Sequence, residues 1–128
     1  MKRDVVSTNK APAAVGPYSQ AAVYNRMVYC SGQLPIDPAT GKAAGDTIEE
    51  LTRQCLKNLN AVLEAAGSSL RNVIKVNIYL TDMKDFPAVN RIYGEFFEEP
   101  YPARACIQAA ALPLGMPIEI EAVGAVAE

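Results

Sequence analysis

Histidine is absent from this 128-residue chain. The absence removes the side chain best suited to proton exchange near neutral pH, and with it the commonest nitrogen ligand for a metal. A serine nucleophile would lack its ordinary base. Cysteine is sparse: Cys30, Cys55 and Cys106 are the three present, far apart and with no C-x-x-C pair. An odd count at such spacing speaks against a disulfide framework and against zinc, and fits reduced thiols in the cytoplasm. No metal site and no cofactor are expected. No apolar run reaches membrane-spanning length, and Lys2-Arg3 is followed by Asp4 rather than an apolar segment, so neither a span nor a signal peptide is expected. Neither sign of charge dominates. Twelve basic residues stand against fourteen acidic ones, for a net charge of −2, and no Lys/Arg cluster offers nucleic acid a footprint. Internal repeats and linkers are also missing.

What is present is an ordinary globular composition, half hydrophobic and one-fifth charged, long enough for a real core. Residues 1–128 are read as a single domain. A short strand is expected over 4–8, then a loop over 9–19 broken by Pro12, Gly16 and Pro17. Residues 20–24 and 27–31 read as a hairpin turning at Asn25-Arg26. A second loop covers 32–45.

Helical spacing of Ile48, Leu51, Cys55, Leu59, Val62, Leu63 and Ala66 predicts a helix, with Asp46 as N-cap, Glu49 completing a capping box and Gly67 ending it. Residues 73–80 alternate as a strand, with Ile74, Val76, Ile78 and Leu80 on one face. A second helix is expected over 86–98, with Phe86, Val89, Tyr93, Phe96 and Phe97 on its stripe and Pro87 in its first turn. Strands over 103–110 and 117–126 complete the chain.

This order predicts an α+β fold whose two helices cover one sheet face. Unbroken alternation puts Lys75, Asn77, Tyr79, Arg104, Cys106, Gln108, Glu119 and Glu121 together on the other face, which association would cover.

The chemistry-bearing segment is Tyr101-Pro-Ala-Arg104-Ala-Cys106-Ile-Gln108, followed by Ile118-Glu119-Ile-Glu121-Ala. An arginine among small, buried-looking neighbours is suited to gripping a carboxylate with two parallel hydrogen bonds. The structural alternative is a plain ion pair of Arg104 with Glu119 or Glu121.

Four segments carry a resemblance: Ala11-Pro-Ala-Ala-Val-Gly-Pro-Tyr18-Ser-Gln, Ser31-Gly32-Gln33, Phe86-Pro-Ala-Val-Asn90-Arg-Ile-Tyr93, and Pro102-Ala-Arg104-Ala-Cys106 running through Leu112-Pro113 to Ile118-Glu119-Ile-Glu121-Ala. In this order and spacing the chain resembles the Rid family of reactive intermediate deaminases, also called the YjgF family, and most closely its RidA branch.

The resemblance implies a chorismate-mutase-like mixed β-sheet with two helices packed on one face, assembled as a homotrimer with clefts between subunits. It implies hydrolysis of 2-imino acids (2-iminobutanoate, 2-iminopropanoate) or their enamine tautomers to 2-keto acids and ammonia. Such imines arise from pyridoxal-phosphate dehydratases acting on threonine or serine. Arg104 matches the arginine that marks the branch and Glu119 the glutamate that handles water. Tyr18, Gly32, Asn90 and Cys106 match other cleft positions.

The residues are compatible with that chemistry. Arg104 can hold the substrate carboxylate, Glu119 can position and deprotonate water, and backbone amides near Gly32 or Cys106 can steady developing charge. Cys106 is expected to contribute its backbone rather than its thiol, and Glu121 to be structural. Three rival readings stand beside this one: an RNA-acting translation inhibitor or endoribonuclease, a non-enzymatic binder of small metabolites, and a chorismate mutase by fold analogy.

Overall fold

The computed structural model describes residues 2–127. Strand β1 (Asp4–Val6) leads through a loop to the hairpin β2 (Ala21–Tyr24) and β3 (Met27–Gln33). Asn25 and Arg26 both take positive φ, 52° and 62°, as a two-residue turn of matching twist requires. Helix α1 (Ile48–Ala65), strand β4 (Val73–Leu80), helix α2 (Phe86–Phe96), strand β5 (Ala103–Gln108) and strand β6 (Ile118–Ala125) follow. The strands form one sheet in the order β1-β2-β3-β6-β4-β5.

The last strand therefore lies near the middle of the sheet. β6 runs antiparallel to both β3 and β4, while β4 and β5 are parallel and joined through α2. Both helices cover the same face, as the sequence predicts. Leu56, Leu59, Leu63 and Val89 pack there with Val76, Ile78, Leu80, Ile118 and Ile120, all fully buried. β6 alternates between buried and half-buried residues along its whole length, so Glu119 and Glu121 point to the face without helices.

Three expectations are corrected. The N-cap of α1 is Thr47, not Asp46, and its box partner is Glu50, not Glu49. Thr47 is extended, its hydroxyl accepts from the Glu50 amide at 3.2 Å, and the Glu50 carboxylate accepts from the Thr47 amide at 3.2 Å. Second, a bulge lies between Val73 and Lys75. It buries Val73 and turns Ile74 outward, 49 % exposed, because one extra residue reverses the alternation.

Third, Arg104, Cys106 and Gln108 lie on the helix-covered face, not the open one. Parallel pairing aligns them with Val76, Ile78 and Leu80, and aligned residues share a face. β5 is an edge strand, so it escapes deep burial and Arg104 stays exposed. Element ends also move: β3 extends to Gln33, taking Gly32 into the strand, and α2 stops at Phe96.

Candidate active site

Three residues of α2 and one of β5 make the first half of the site. Asn90 and Tyr93 are three apart and Phe86 is one turn earlier, so all three face the edge strand. Arg104 Nη1 donates to Asn90 Oδ1 at 2.8 Å. The guanidinium lies 4.7 Å from the Tyr93 ring centre and 5.6 Å from that of Phe86, an aromatic floor that favours the cation. Tyr93 stacks on Phe97, centroids 4.3 Å apart. Its buried hydroxyl has no hydrogen-bond partner among the described residues.

Asn90, Tyr93, Gly94, Tyr101, Pro102 and Arg104 line one hollow. Arg104 enters no ion pair among the described residues, so the expected alternative of pairing with Glu119 or Glu121 is not what forms. Cys106 stands one pleat along the same face, half-buried. Burial raises its thiol pKa, and the charge of Arg104 offsets this only in part, which suits a packing residue rather than a thiolate.

The second half lies on the open face. Gly32 sits in a bulge between Cys30 and Gln33, against the side chain of Glu119. A β-carbon built on Gly32 would stand 2.5 Å from Glu119 Oε2 and 2.7 Å from its Cδ, so only glycine leaves the carboxyl where it is. Burial raises the Glu119 pKa, and the neighbouring Glu121 carboxylate raises it further.

Tyr79 donates its hydroxyl to Glu121 Oε1 at 2.5 Å, and Asn77 Nδ2 donates to the same oxygen at 3.2 Å. The bond to Glu121 is the main cause that pushes the Tyr79 pKa up to about 12. Tyr18, 51 % exposed, shares a mainly apolar hollow with Val15, Gly32, Leu34, Ile36 and Leu114.

Buried amides hold the loops that carry these residues. The Gln20 side chain accepts from the Thr8 amide at 2.7 Å and donates to the Pro12 carbonyl at 2.8 Å. The Ser31 hydroxyl donates to the Ser19 carbonyl at 2.6 Å, tying the Tyr18 loop to the strand of Gly32. Asn58 on α1 donates to the carbonyls of Leu34 and Ile36 at 3.0 and 2.8 Å.

The expected residues thus fall into two groups. Asn90, Arg104 and Cys106 assemble at the β5 edge; Tyr18, Gly32 and Glu119 assemble around β3 and β6. One chain does not bring the groups together, since Arg104 and Glu119 occupy opposite sheet faces. Sequence reasoning took Phe86 and Tyr93 as core and overlooked the bonds of Asn77 and Tyr79 to Glu121. Two polar side chains alternating on the strand that precedes α2 were the available signal. Among the described residues no group of His, Cys, Asp or Glu is placed to hold a metal ion, and no helix is long and apolar enough to cross a membrane.

Residues 8–126 match the family model described as Endoribonuclease L-PSP. The chain is 53 % identical over 118 residues to the RutC family protein y4sK of Sinorhizobium fredii, covering 92 % of this chain and 94 % of that one. It is 49 % identical over 121 residues to a human protein named 2-iminobutanoate/2-iminopropanoate deaminase, covering 94 % and 88 %. The crystal structure of E. coli TdcF with bound serine superposes with a TM-score of 0.91 at 38 % identity, over 97 % and 99 % of the two chains. With a family model spanning nearly its whole length and relatives near 50 % identity, the chain belongs to the L-PSP family, also called the YjgF or Rid family.

Proposed function

We propose that this protein hydrolyses 2-imino acids, such as 2-iminobutanoate and 2-iminopropanoate, or their enamine tautomers, to 2-keto acids and ammonia, as metabolite damage control. The observation that carries the reading is an arginine with no carboxylate partner among the described residues, set on an aromatic floor beside an open hollow. Such a cation calls for an anionic ligand from outside the chain. The deaminase name of the human relative and the serine bound to TdcF, a small α-carboxylate, agree with it.

In this reading Arg104 clasps the substrate carboxylate, and Asn90 holds the guanidinium in plane. Glu119 takes a proton from water as the oxygen attacks the C=N carbon, and passes it to the imine nitrogen, giving a neutral carbinolamine. The carbinolamine then collapses: Glu119 takes the hydroxyl proton and delivers it to the amine, the C–N bond breaks, ammonia leaves, the carbonyl forms and Glu119 is again a carboxylate. Backbone amides at Gly32 and Cys106 steady the developing charge, and Tyr18 closes over the pocket. Nothing is oxidised or reduced, so no redox cofactor is called for.

Arg104 and Glu119 lie on opposite faces, so the reading includes a homotrimer whose clefts join the Arg104 half of one chain to the Glu119 half of the next. The open face supports association through its exposed Val5, Tyr29 and Ile107.

The test is a coupled assay. A threonine dehydratase generates 2-iminobutanoate, and its disappearance is followed with and without this protein. Faster loss, abolished by Arg104→Ala, is expected; an unchanged rate would overturn the reading. The endoribonuclease description of the family makes RNA the second reading, which salt-sensitive RNA binding would select.

A further inference from the structure

The open face carries two acids one pleat apart, and the structure treats them unequally. In the register of the sheet, Tyr79 on β4 is the direct cross-strand partner of Glu119, and Asn77 that of Glu121. The Tyr79 hydroxyl nevertheless reaches diagonally, past its own partner, to Glu121. Glu121 Oε1 therefore collects the Asn77 and Tyr79 donors of β4, and Glu119 is left to lie against Gly32.

We propose that Glu121, fixed by Tyr79 and Asn77, is a positioning residue for Glu119: a held anion that reserves the neighbouring carboxyl for proton exchange with water. The inference rests on the reading of Glu119 as the group that handles water.

The physical basis is that two adjacent carboxyls in unlike surroundings divide the work of ion and acid. Burial disfavours a charge at Glu119, and the Glu121 carboxylate beside it disfavours one further.

The groups facing Glu119 leave little else to set this balance. From β3 comes Gly32, with no charge; from β4, Tyr79, which the carboxylates keep protonated. Across the sheet, on α1, lies Cys55, whose pKa is raised by burial and then by the charge of Glu119. Lys75 is the one cation on β4, yet it pairs with Val123, beyond Glu121. It forms no ion pair with either acid among the described residues.

The experiment titrates Glu119 directly in the full chain. Side-chain carboxyl carbons of glutamate are labelled with ¹³C, and the Glu119 signal is assigned by its loss in Glu119→Gln. Its midpoint is then read in the parent, in Glu121→Gln and in Tyr79→Phe, with the pH profile of kcat/KM for iminobutanoate measured in parallel.

The inference predicts a lower Glu119 midpoint in Glu121→Gln, a smaller fall in Tyr79→Phe, and an acid limb of kcat/KM that moves down with it. A purely structural Glu121 would lower the rate at every pH and leave the midpoint in place. An unmoved or raised midpoint in variants that keep the parent's circular dichroism overturns the inference. Tyr79→Phe decides the matter alone if Glu121→Gln does not fold. A midpoint that falls while the acid limb stays put shows the two acids coupled but overturns Glu119 as the catalytic base, and with it the inference; the two failures are thus told apart.

Discussion

The two halves of the candidate site solve opposite problems. The Arg104 half sits on an edge strand, where water reaches the guanidinium and one hydrogen bond plus two aromatic rings set its pose. The Glu119 half sits on a strand flanked on both sides, half-buried, with its acid confined by the absence of a side chain at Gly32. An exposed cation costs little to keep charged and is held by geometry. A half-buried acid resists ionisation, and its surroundings set its proton affinity. In the proposed function the same sheet thus offers a binding group at its rim and a proton-exchanging group near its middle.

The largest expected effect comes from the proton-exchanging half. Glu119→Gln keeps the shape and removes the base, and should lower kcat for iminobutanoate by about 100-fold or more. Binding of a 2-keto acid should survive, which calorimetry would check. Arg104→Lys tests the binding half: the charge remains but the planar fork is lost, and kcat/KM should fall by about 10- to 100-fold. Steady-state kinetics showing parental kcat/KM in that variant would move the carboxylate clamp elsewhere.

Asn90→Ala frees the guanidinium from its side-chain acceptor. The loss of a hydrogen bond to a charged group, about 2 kcal/mol at most in so exposed a setting, should raise KM more than it lowers kcat. Cys106→Ser is expected to cost least, within about threefold, because the burial-raised thiol packs against the core.

Much of this contrast was legible in the sequence, but not its sides. Helical spacing disclosed both helices, and β6 kept perfect alternation, so Glu119 and Glu121 were placed correctly. Alternation also grouped Arg104 with Cys106 and Gln108. It could not say which face they share, because that depends on the strand beside them. Parallel pairing with Val76, Ile78 and Leu80 is a non-local fact, and it reversed the expected face. The bulge at Ile74 has the same origin, since β6 fixes the register across from it. Thr47 displaced Asp46 as the cap by a single residue, and both types are good caps; only the backbone angles choose between them. The pairing of Asn77 and Tyr79 with Glu121 needed the β4–β6 register as well.

The central claim is that Arg104 of one chain and Glu119 of another complete each site, and mixing two inactive variants tests it most directly. Arg104→Ala and Glu119→Gln proteins are combined in equal amounts, allowed to exchange subunits, and assayed for iminobutanoate hydrolysis. In a cyclic trimer every mixed assembly regains one intact site of its three. Three-quarters of randomly mixed trimers are hybrids, so activity should rise to about a quarter of the parent value. If both residues serve a site within one chain, the mixture stays at the average of its two inactive components, and that result, obtained with exchange confirmed by native mass spectrometry, would contradict the account.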